Sequence, residues 1–390
     1  MIIYLSNKTG FNEDVISNRI DEKILFGFRT QLGQKVGASE VASWRNSMNF
    51  MNNVLSDKSI PDNTGVAIEY RIPNTSKRID IILTGEDDSH TKTAVIVELK
   101  QWSEASETSM DGIVRTFLGG SIREVGHPSY QAWSYAALLE DYNEAVRETP
   151  VRLKPCAYLH NCTSDKSIRN DIYKEHISKA PVFLKEDAAK LAQFVREQIK
   201  HGDNGEAMHV IQSGKIRPSK NLSEMLTSLL QGNKEFLMID DQKVVYEKAL
   251  ELAKISNDRK QVLVVEGGPG TGKSVVAINL LVELTKCFKV VQYVTKNAAP
   301  RAVYEAKLAG TMAKSRISNL FKGSGAYVES APNSFDVLVV DEAHRLNEKS
   351  GLFRNKGKNQ IKEIIESSLL SVFFIDENQR VTLHDIGRKS

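Results

Sequence analysis

Three groups of residues have the types and spacing to do chemistry on phosphate. The first is GGPGTGKS, residues 267–274, which fits GxxxxGK[ST] and stands between an apolar run, VLVVEG (262–267), and a helical one. Gly267, Gly268, Pro269, Gly270, Thr271 and Gly272 would fold the backbone tightly, so that its N–H groups point at phosphate oxygens. Lys273 would reach the β- and γ-phosphates of ATP, and Ser274 would hold Mg²⁺. The second group is VLVVDEAH, 337–344. Asp341 closes an apolar strand, where its carboxylate can coordinate Mg²⁺ directly or through water, and Glu342 beside it would activate the attacking water. The third joins RID (78–80) to VELK (97–100). Side chains alternate along a strand, so Glu98 and Lys100 share a face, with Asp80 on the preceding strand. If the two strands pair, both carboxylates and the lysine converge. Two hard oxygen ligands suit Mg²⁺ or Mn²⁺ and leave sites for water and a scissile phosphate. Lys100 would orient that water or stabilise charge on the phosphate.

These signals differ in specificity. A glycine turn arising by chance rarely has a strand before it and a helix after it, so the phosphate loop is strong, and it strengthens Asp341 and Glu342 downstream. The Asp80–Glu98–Lys100 spacing alone is weak, because edge strands often alternate charge. Against that, burying a lone Glu and Lys inside an apolar strand costs several kcal/mol without partners. Gln242, in MIDDQKVVYEKAL about 25 residues before the loop, has the donor and acceptor that an adenine edge requires. An exposed glutamine at a helix start is the other reading.

The elements that must position these groups follow from periodicity. The first 60 residues read as mostly helical, with Val41, Trp44, Met48 and Leu55 along one face of 38–57. Three strands follow at 65–72, 77–85 and 93–102, then a helix at 127–143 entered past Pro128, a strand at 155–161, a short apolar run at 180–184 and a helix at 185–200. Glycines, a proline and basic residues break the pattern over 201–221. The expected domains are therefore 1–205 and 237–390, with a connector at 206–236 carrying a short helix over 221–231. Candidate strands in the second domain lie at 262–267, 289–295, 335–342 and 371–376, and their near-continuous apolar runs predict a parallel sheet covered on both faces.

Composition adds limits. At 390 residues, with 41% hydrophobic and 26% charged residues, two domains are the default. No apolar run is long enough to cross a membrane, and MIIYLSNKTG is too short and polar for a secretory signal. Cys156, Cys162 and Cys287 form no metal-ligand spacing or disulfide framework, which predicts a cytoplasmic chain. A net charge of +3 is too weak to argue for nucleic acid alone.

From Gln242 onward the residues resemble a superfamily 1 helicase. Residues 267–274 correspond to its first motif, YVTKNAAPR (293–301) to the strand end that meets nucleic acid, DEAH to the second motif and DENQR (376–380) to the third. The wording TKNAAPR and DENQR is most similar to the prokaryotic Schlafen group 3 helicase domain, over roughly 237–390. The resemblance implies a RecA-like P-loop parallel-sheet domain in which Gln242 reads adenine and Gln379 senses the γ-phosphate. It also implies a second lobe whose arginines reach that phosphate, worth about 10³–10⁵ in rate in related enzymes. Ten residues follow Arg380, among them Arg388, so the expectation is nucleotide binding with little turnover from this chain alone.

The order helix–strand–strand–strand–helix–strand around Asp80, Glu98 and Lys100 resembles the PD-(D/E)xK nuclease core. Gln131 and Tyr135 match the QxxxY motif of RecB-type nucleases, and Glu40 matches the position of a further acidic metal ligand, although a solvated helix glutamate would look the same. The resemblance implies an α/β protein: a restriction-endonuclease-like mixed sheet with flanking helices, followed by the RecA-like domain. The function it implies is a Mg²⁺- or Mn²⁺-dependent nuclease acting on nucleic acid, DNA in preference to RNA, against phage or in DNA processing. Two other readings stay open: a nucleotide-sensing module that gates a protein partner or self-assembly, and an ATPase completed by a second lobe in trans. His127 reads as a phosphate contact or a turn or cap residue, Trp102 and Trp133 as core or groove packing in preference to base stacking, and KIRPSK (215–220) as a solvated linker or an electrostatic track.

Overall fold

The computed structural model describes residues 1–33, 36–72, 77–149, 151–215, 237–255, 259–308, 319–350, 356–380 and 385–387. The expected helix over 221–231, most of KIRPSK and Arg388 lie outside them. The chain divides into two compact units, Met1–Ser219 and Lys220–Ser390.

The first unit begins with strand β1 (Ile2–Asn7), helices α1 (Lys8–Ile16), α2 (Ile20–Leu32) and α3 (Ala38–Leu55), and strands β2 (Gly65–Arg71), β3 (Arg78–Glu86) and β4 (Lys92–Lys100). Then come β5 (Ser106–Glu107), β6 (Ile113–Leu118), β7 (Ser121–Gly126), α4 (Pro128–Tyr142), α5 (Glu144–Glu148) and β8 (Arg152–Leu159). It closes with α6 (Lys174–Lys179), β9 (Val182–Leu184), α7 (Ala188–Gln198), β10 (His201–Gly202) and α8 (Glu206–Ser213). The main sheet runs β1-β2-β3-β4-β8-β9, with β10 also paired to β3. Strands β1 to β4 pair antiparallel, whereas β4, β8 and β9 are parallel, so the sheet is mixed.

The apolar pattern explains the layering. Trp44, Met48, Met51 and Leu55 recur at helical spacing on α3 and are buried. They share one cluster with Val95, Val97 and Leu99 of β4 and with residues of α1, α2 and α7. By alternation Ala94, Ile96 and Glu98 face the other side, where α4 and α8 pack on β4. Covering both faces is why β4 reads as an unbroken apolar run. The β3–β4 turn is set by Asp87, whose carboxylate accepts from the Ser89 and Thr91 amides at 2.8 and 3.0 Å.

Three parts of this unit differ from expectation, the first being the start of the expected connector, where Glu206–Ser213 forms α8 packed on β3 and β4 within the first unit. Strand β1 precedes the helices, because Ile2, Ile3 and Tyr4 are buried against the edge of β2. A separate three-stranded sheet, β5-β6-β7, occupies residues between β4 and α4 where no element was expected.

The second unit comprises α9 (Asp241–Ile255), β11 (Gln261–Glu266), α10 (Lys273–Lys286), β12 (Val291–Thr295), α11 (Ala298–Leu308), β13 (Phe321–Lys322), β14 (Phe335–Asp341), α12 (Gln360–Ser367) and β15 (Ser368–Ile375). Its sheet is parallel throughout, in the order β11-β15-β14-β12-β13. Strands β14 and β15 are buried between two apolar clusters. Strand β11 departs from the expected cover on both faces: Leu263 and Val265 pack inward, while Val262 and Val264 stay nearly half exposed, at 46% and 47%. It is an edge strand, so it has one neighbour in the sheet.

Candidate functional site

In the first unit, Ile81 pairs with Val97, which makes Asp80 and Glu98 the next residues along β3 and β4. Asp80 Oδ2 accepts the Leu99 amide at 2.7 Å, pinning the carboxylate to the neighbouring strand. Glu98 is buried, and its Oε1 accepts from Lys100 Nζ at 2.7 Å. The ammonium also sits 5.5 Å from the centre of the Trp102 ring. A cleft of about 450 Å³ opens at this end of the sheet, lined by Glu40, Glu69, Arg78, Asp80, Lys100 and Phe117 among others. Sequence spacing and strand pairing thus bring Asp80, Glu98 and Lys100 together.

Glu69 belongs to this site, and the sequence reading passed over it. It lies within β2 with φ +57°, left-handed backbone that costs a glutamate about 1–3 kcal/mol. The kink puts consecutive residues on one side: Ile68 joins the cluster containing α3, and Glu69 Oε1 accepts from Trp44 Nε1 on α3 at 2.8 Å. Arg78 bridges Glu40 Oε1 at 2.9 Å and Glu69 Oε2 at 3.1 Å. Burial, and then the negative charge of Asp80, push the Glu69 carboxyl up to about 7. No motif spacing marks a glutamate whose direction is decided by one backbone dihedral.

A divalent cation is tested against this donor set. Among the described residues no group of three or more His, Cys, Asp or Glu side chains could hold a metal ion. The expected trio Glu40, Asp80 and Glu98 is therefore not a preformed cage. Arg78 engages Glu40, the Leu99 amide engages Asp80 and Lys100 engages Glu98. Mg²⁺ is commonly held by one or two carboxylates plus water and substrate phosphate, so the hard oxygens of Asp80 and Glu98 still fit it.

Gln131 donates to the Tyr135 hydroxyl at 2.9 Å on α4, which packs on β4 and β8. The one-turn spacing makes this pair, yet neither residue is among those lining the cleft. His127 is a cap: its Nδ1 accepts the Ser129 amide at 3.2 Å, and Nε2 meets the Ile168 carbonyl at 2.9 Å. Full burial pushes its pKa down to about 4. Trp102 is buried with the apolar cluster under β6, and Trp133 packs against Tyr130 and the Lys179 ammonium.

In the second unit, residues 267–272 connect β11 to α10. Gly270 and Gly272 have φ +72° and +81°, so the loop uses left-handed turns that only glycine adopts freely. Lys273 Nζ folds back onto the carbonyls of Gly267 and Gly268, the latter at 2.7 Å. Ser274 Oγ donates to Asp341 Oδ2 at 2.7 Å, and the buried Tyr293 hydroxyl donates to the same oxygen. A hydroxyl and a carboxylate held together at a phosphate loop form a donor set that fits Mg²⁺. Glu342 follows with φ +52°, and burial and then Asp341 push its carboxyl upward.

The sheet order ties the remaining residues to this point. Strand β15 lies between β11 and β14, so the turn after it stands beside the loop. The Gly267 amide donates to the Ile375 carbonyl at 3.2 Å, and Asp376 Oδ2 lies 3.8 Å from Lys273 Nζ. His344, of the DEAH segment, accepts the Asp376 amide at 3.1 Å. Gln379 is exposed in the single turn at 377–379. Gln242 donates to the Thr271 carbonyl at 2.8 Å and accepts the Ile239 amide at 3.1 Å, which clamps it to the loop.

No curated protein matches this sequence. Residues 260–390, about a third of the chain and the stretch carrying the loop, the Asp341–Glu342 pair and Gln379, match the family described as Schlafen group 3, DNA/RNA helicase domain, a similarity that suggests a nucleic-acid-related helicase-type function.

Proposed function

We propose that the chain is a metal-dependent nuclease, built on Asp80, Glu98 and Lys100, joined to a helicase-type domain that binds ATP and Mg²⁺. The observation that carries the nuclease reading is the meeting of Asp80, Glu98 and Lys100 on paired strands, with Asp80 and Lys100 lining a cleft. Glu98 is buried as the ion-pair partner of Lys100, an acid–base pair beside a cleft of the kind a phosphodiester site uses. Asp80 and Glu98 would hold Mg²⁺ or Mn²⁺, which when bound polarises a phosphate and lowers the pKa of water. Lys100, 17% exposed at its side chain, orients the water and stabilises charge on the phosphate oxygens. The Leu99 amide fixes the Asp80 carboxylate, whereas Glu98 would exchange part of its contact with Lys100 for the metal.

In the second domain Lys273 would exchange the Gly267 and Gly268 carbonyls for the β- and γ-phosphates. Ser274 and Asp341 would hold Mg²⁺, and Gln379 would sense the terminal phosphate. The family match supports nucleic acid as the shared target; a role against phage or in DNA processing rests on the resemblance alone. The test incubates the full chain with plasmid, single-stranded DNA and RNA plus Mn²⁺, beside Glu98→Ala. Cleavage lost in the variant supports the reading. Equal inertness, or cutting that survives in Glu98→Ala, ends it.

A further inference from the structure

The cleft wall contributed by the small sheet has no role in holding a metal, yet it carries an unusual pair of side chains. In β6 and β7, Phe117 pairs directly with Ile122, and Leu118 with Ser121. The connection is therefore the two residues Gly119 and Gly120, with φ +58° and +85°, the tight turn that matches strand twist. Directly paired residues share a face, so Phe117 and Ile122 stand side by side one step from the tip. Both are left in water, 68% and 74% exposed. The other face of the same hairpin is packed: Val114 is buried in a cluster with Trp102, and Leu118 and Val125 rest against it. The exposure is thus confined to one side of a hairpin that is anchored by the other.

Phe117 lines the same cleft as Asp80, Lys100 and Arg78. The cleft thus holds Phe117 together with two ion-paired cations, Arg78 and Lys100, and the carboxylates of Glu40, Glu69, Asp80 and Glu104. Cations that meet phosphates beside an exposed ring that meets base faces are the two components of a single-strand site. A duplex keeps its bases stacked on one another and offers a side wall no free base face, whereas an unpaired strand does. Farther from the tip, Arg115 is held by Glu124 at 2.8 Å on the face that carries Phe117, which leaves the aromatic contact at the tip as the principal apolar feature.

We infer that Phe117, supported by Ile122, is a base-stacking platform that makes the cleft select single-stranded nucleic acid. This rests on the nuclease reading for the identity of the cleft but not for its test. The experiment uses the full chain carrying Phe117→Trp, with EDTA to prevent cleavage, titrated with oligo(dT) until anisotropy of a labelled strand shows saturation. Emission gained over the parent chain is expected to be quenched by the single strand and not by the matching duplex. In the parent, Phe117→Ala is expected to weaken single-strand binding about tenfold, with Phe117→Trp restoring it. Added emission that stays unquenched at saturation overturns the platform, and equal quenching by duplex overturns the selectivity. Quenching in a chain that never cleaves would remove the nuclease reading and leave the stacking site standing.

Discussion

Replacing Glu69 by glutamine separates the charge of this residue from its shape. The carboxyl is 6% exposed, and its pKa is raised from its ordinary 4.5 to about 7 by burial, then by Asp80. The folded chain therefore holds the proton more tightly than the unfolded chain. Stability from this group is complete below about pH 4.5 and is lost as pH rises through about 7, a change of about 3 kcal/mol. Glutamine cannot ionise, and its side-chain oxygen still accepts the Trp44 bond. Relative to wild type, Glu69→Gln should gain about 3 kcal/mol between pH 4.5 and pH 8, a figure already net of the Arg78 attraction, which lowers the carboxyl's pKa. Urea unfolding in EDTA, followed by tryptophan emission, reads this directly. All three tryptophans, Trp44, Trp102 and Trp133, lie in the first unit, so the transition reports that unit alone. Wild-type and variant stabilities that run parallel across this range would refute the argument that Glu69 is buried against its charge.

His127 has the opposite sign. Its pKa falls from 6.5 to about 4, so its contribution is complete above pH 6.5 and is lost as pH drops through 4, again about 3 kcal/mol. Between pH 4.5 and 6.5 the two slopes oppose, so wild type alone should look flat; His127→Asn, which keeps a capping acceptor, should lose less stability on acidification than wild type. Gly272→Ala forces a left-handed alanine whose Cβ would collide with Gln242 Nε2. It should weaken binding of a fluorescent ATP analogue about tenfold or more, and unchanged affinity would contradict the clamp. Asp341→Asn should abolish the Mg²⁺-dependent part of nucleotide affinity while leaving binding in EDTA near wild type. Lys273→Ala should lose binding in both conditions, and retention of Mg²⁺-dependent binding in either variant would disprove these assignments.

Much of this architecture was legible without coordinates, for a physical reason. Strands β2, β3, β4, β8, β14 and β15 were visible as apolar runs because burial on two faces leaves a strand little choice of residue. The first strand was hidden because IIYLSN is short and continues into a helical pattern. The hairpin at 113–126 was missed although Gly-Gly between alternating runs is a turn signal; its exposed Phe117 and Ile122 broke the expected alternation of apolar-in and polar-out.

Local spacing was legible in the amino-acid order: the GxxxxGK[ST] loop, the adjacent Asp341 and Glu342, and the two-residue step that puts Glu98 and Lys100 on one face. Pairing between distant segments was not. Only the fold set Asp80 against the Leu99 amide, Ser274 against Asp341, and the turn at 376–379 beside the loop. Only the fold turned Glu69 toward Trp44 and Arg78, and put Phe117 among the residues lining the same cleft. Periodicity records which face a residue takes within its own element. It cannot record which other element comes to meet that face, since that depends on sheet order and on single dihedrals such as the φ of Glu69.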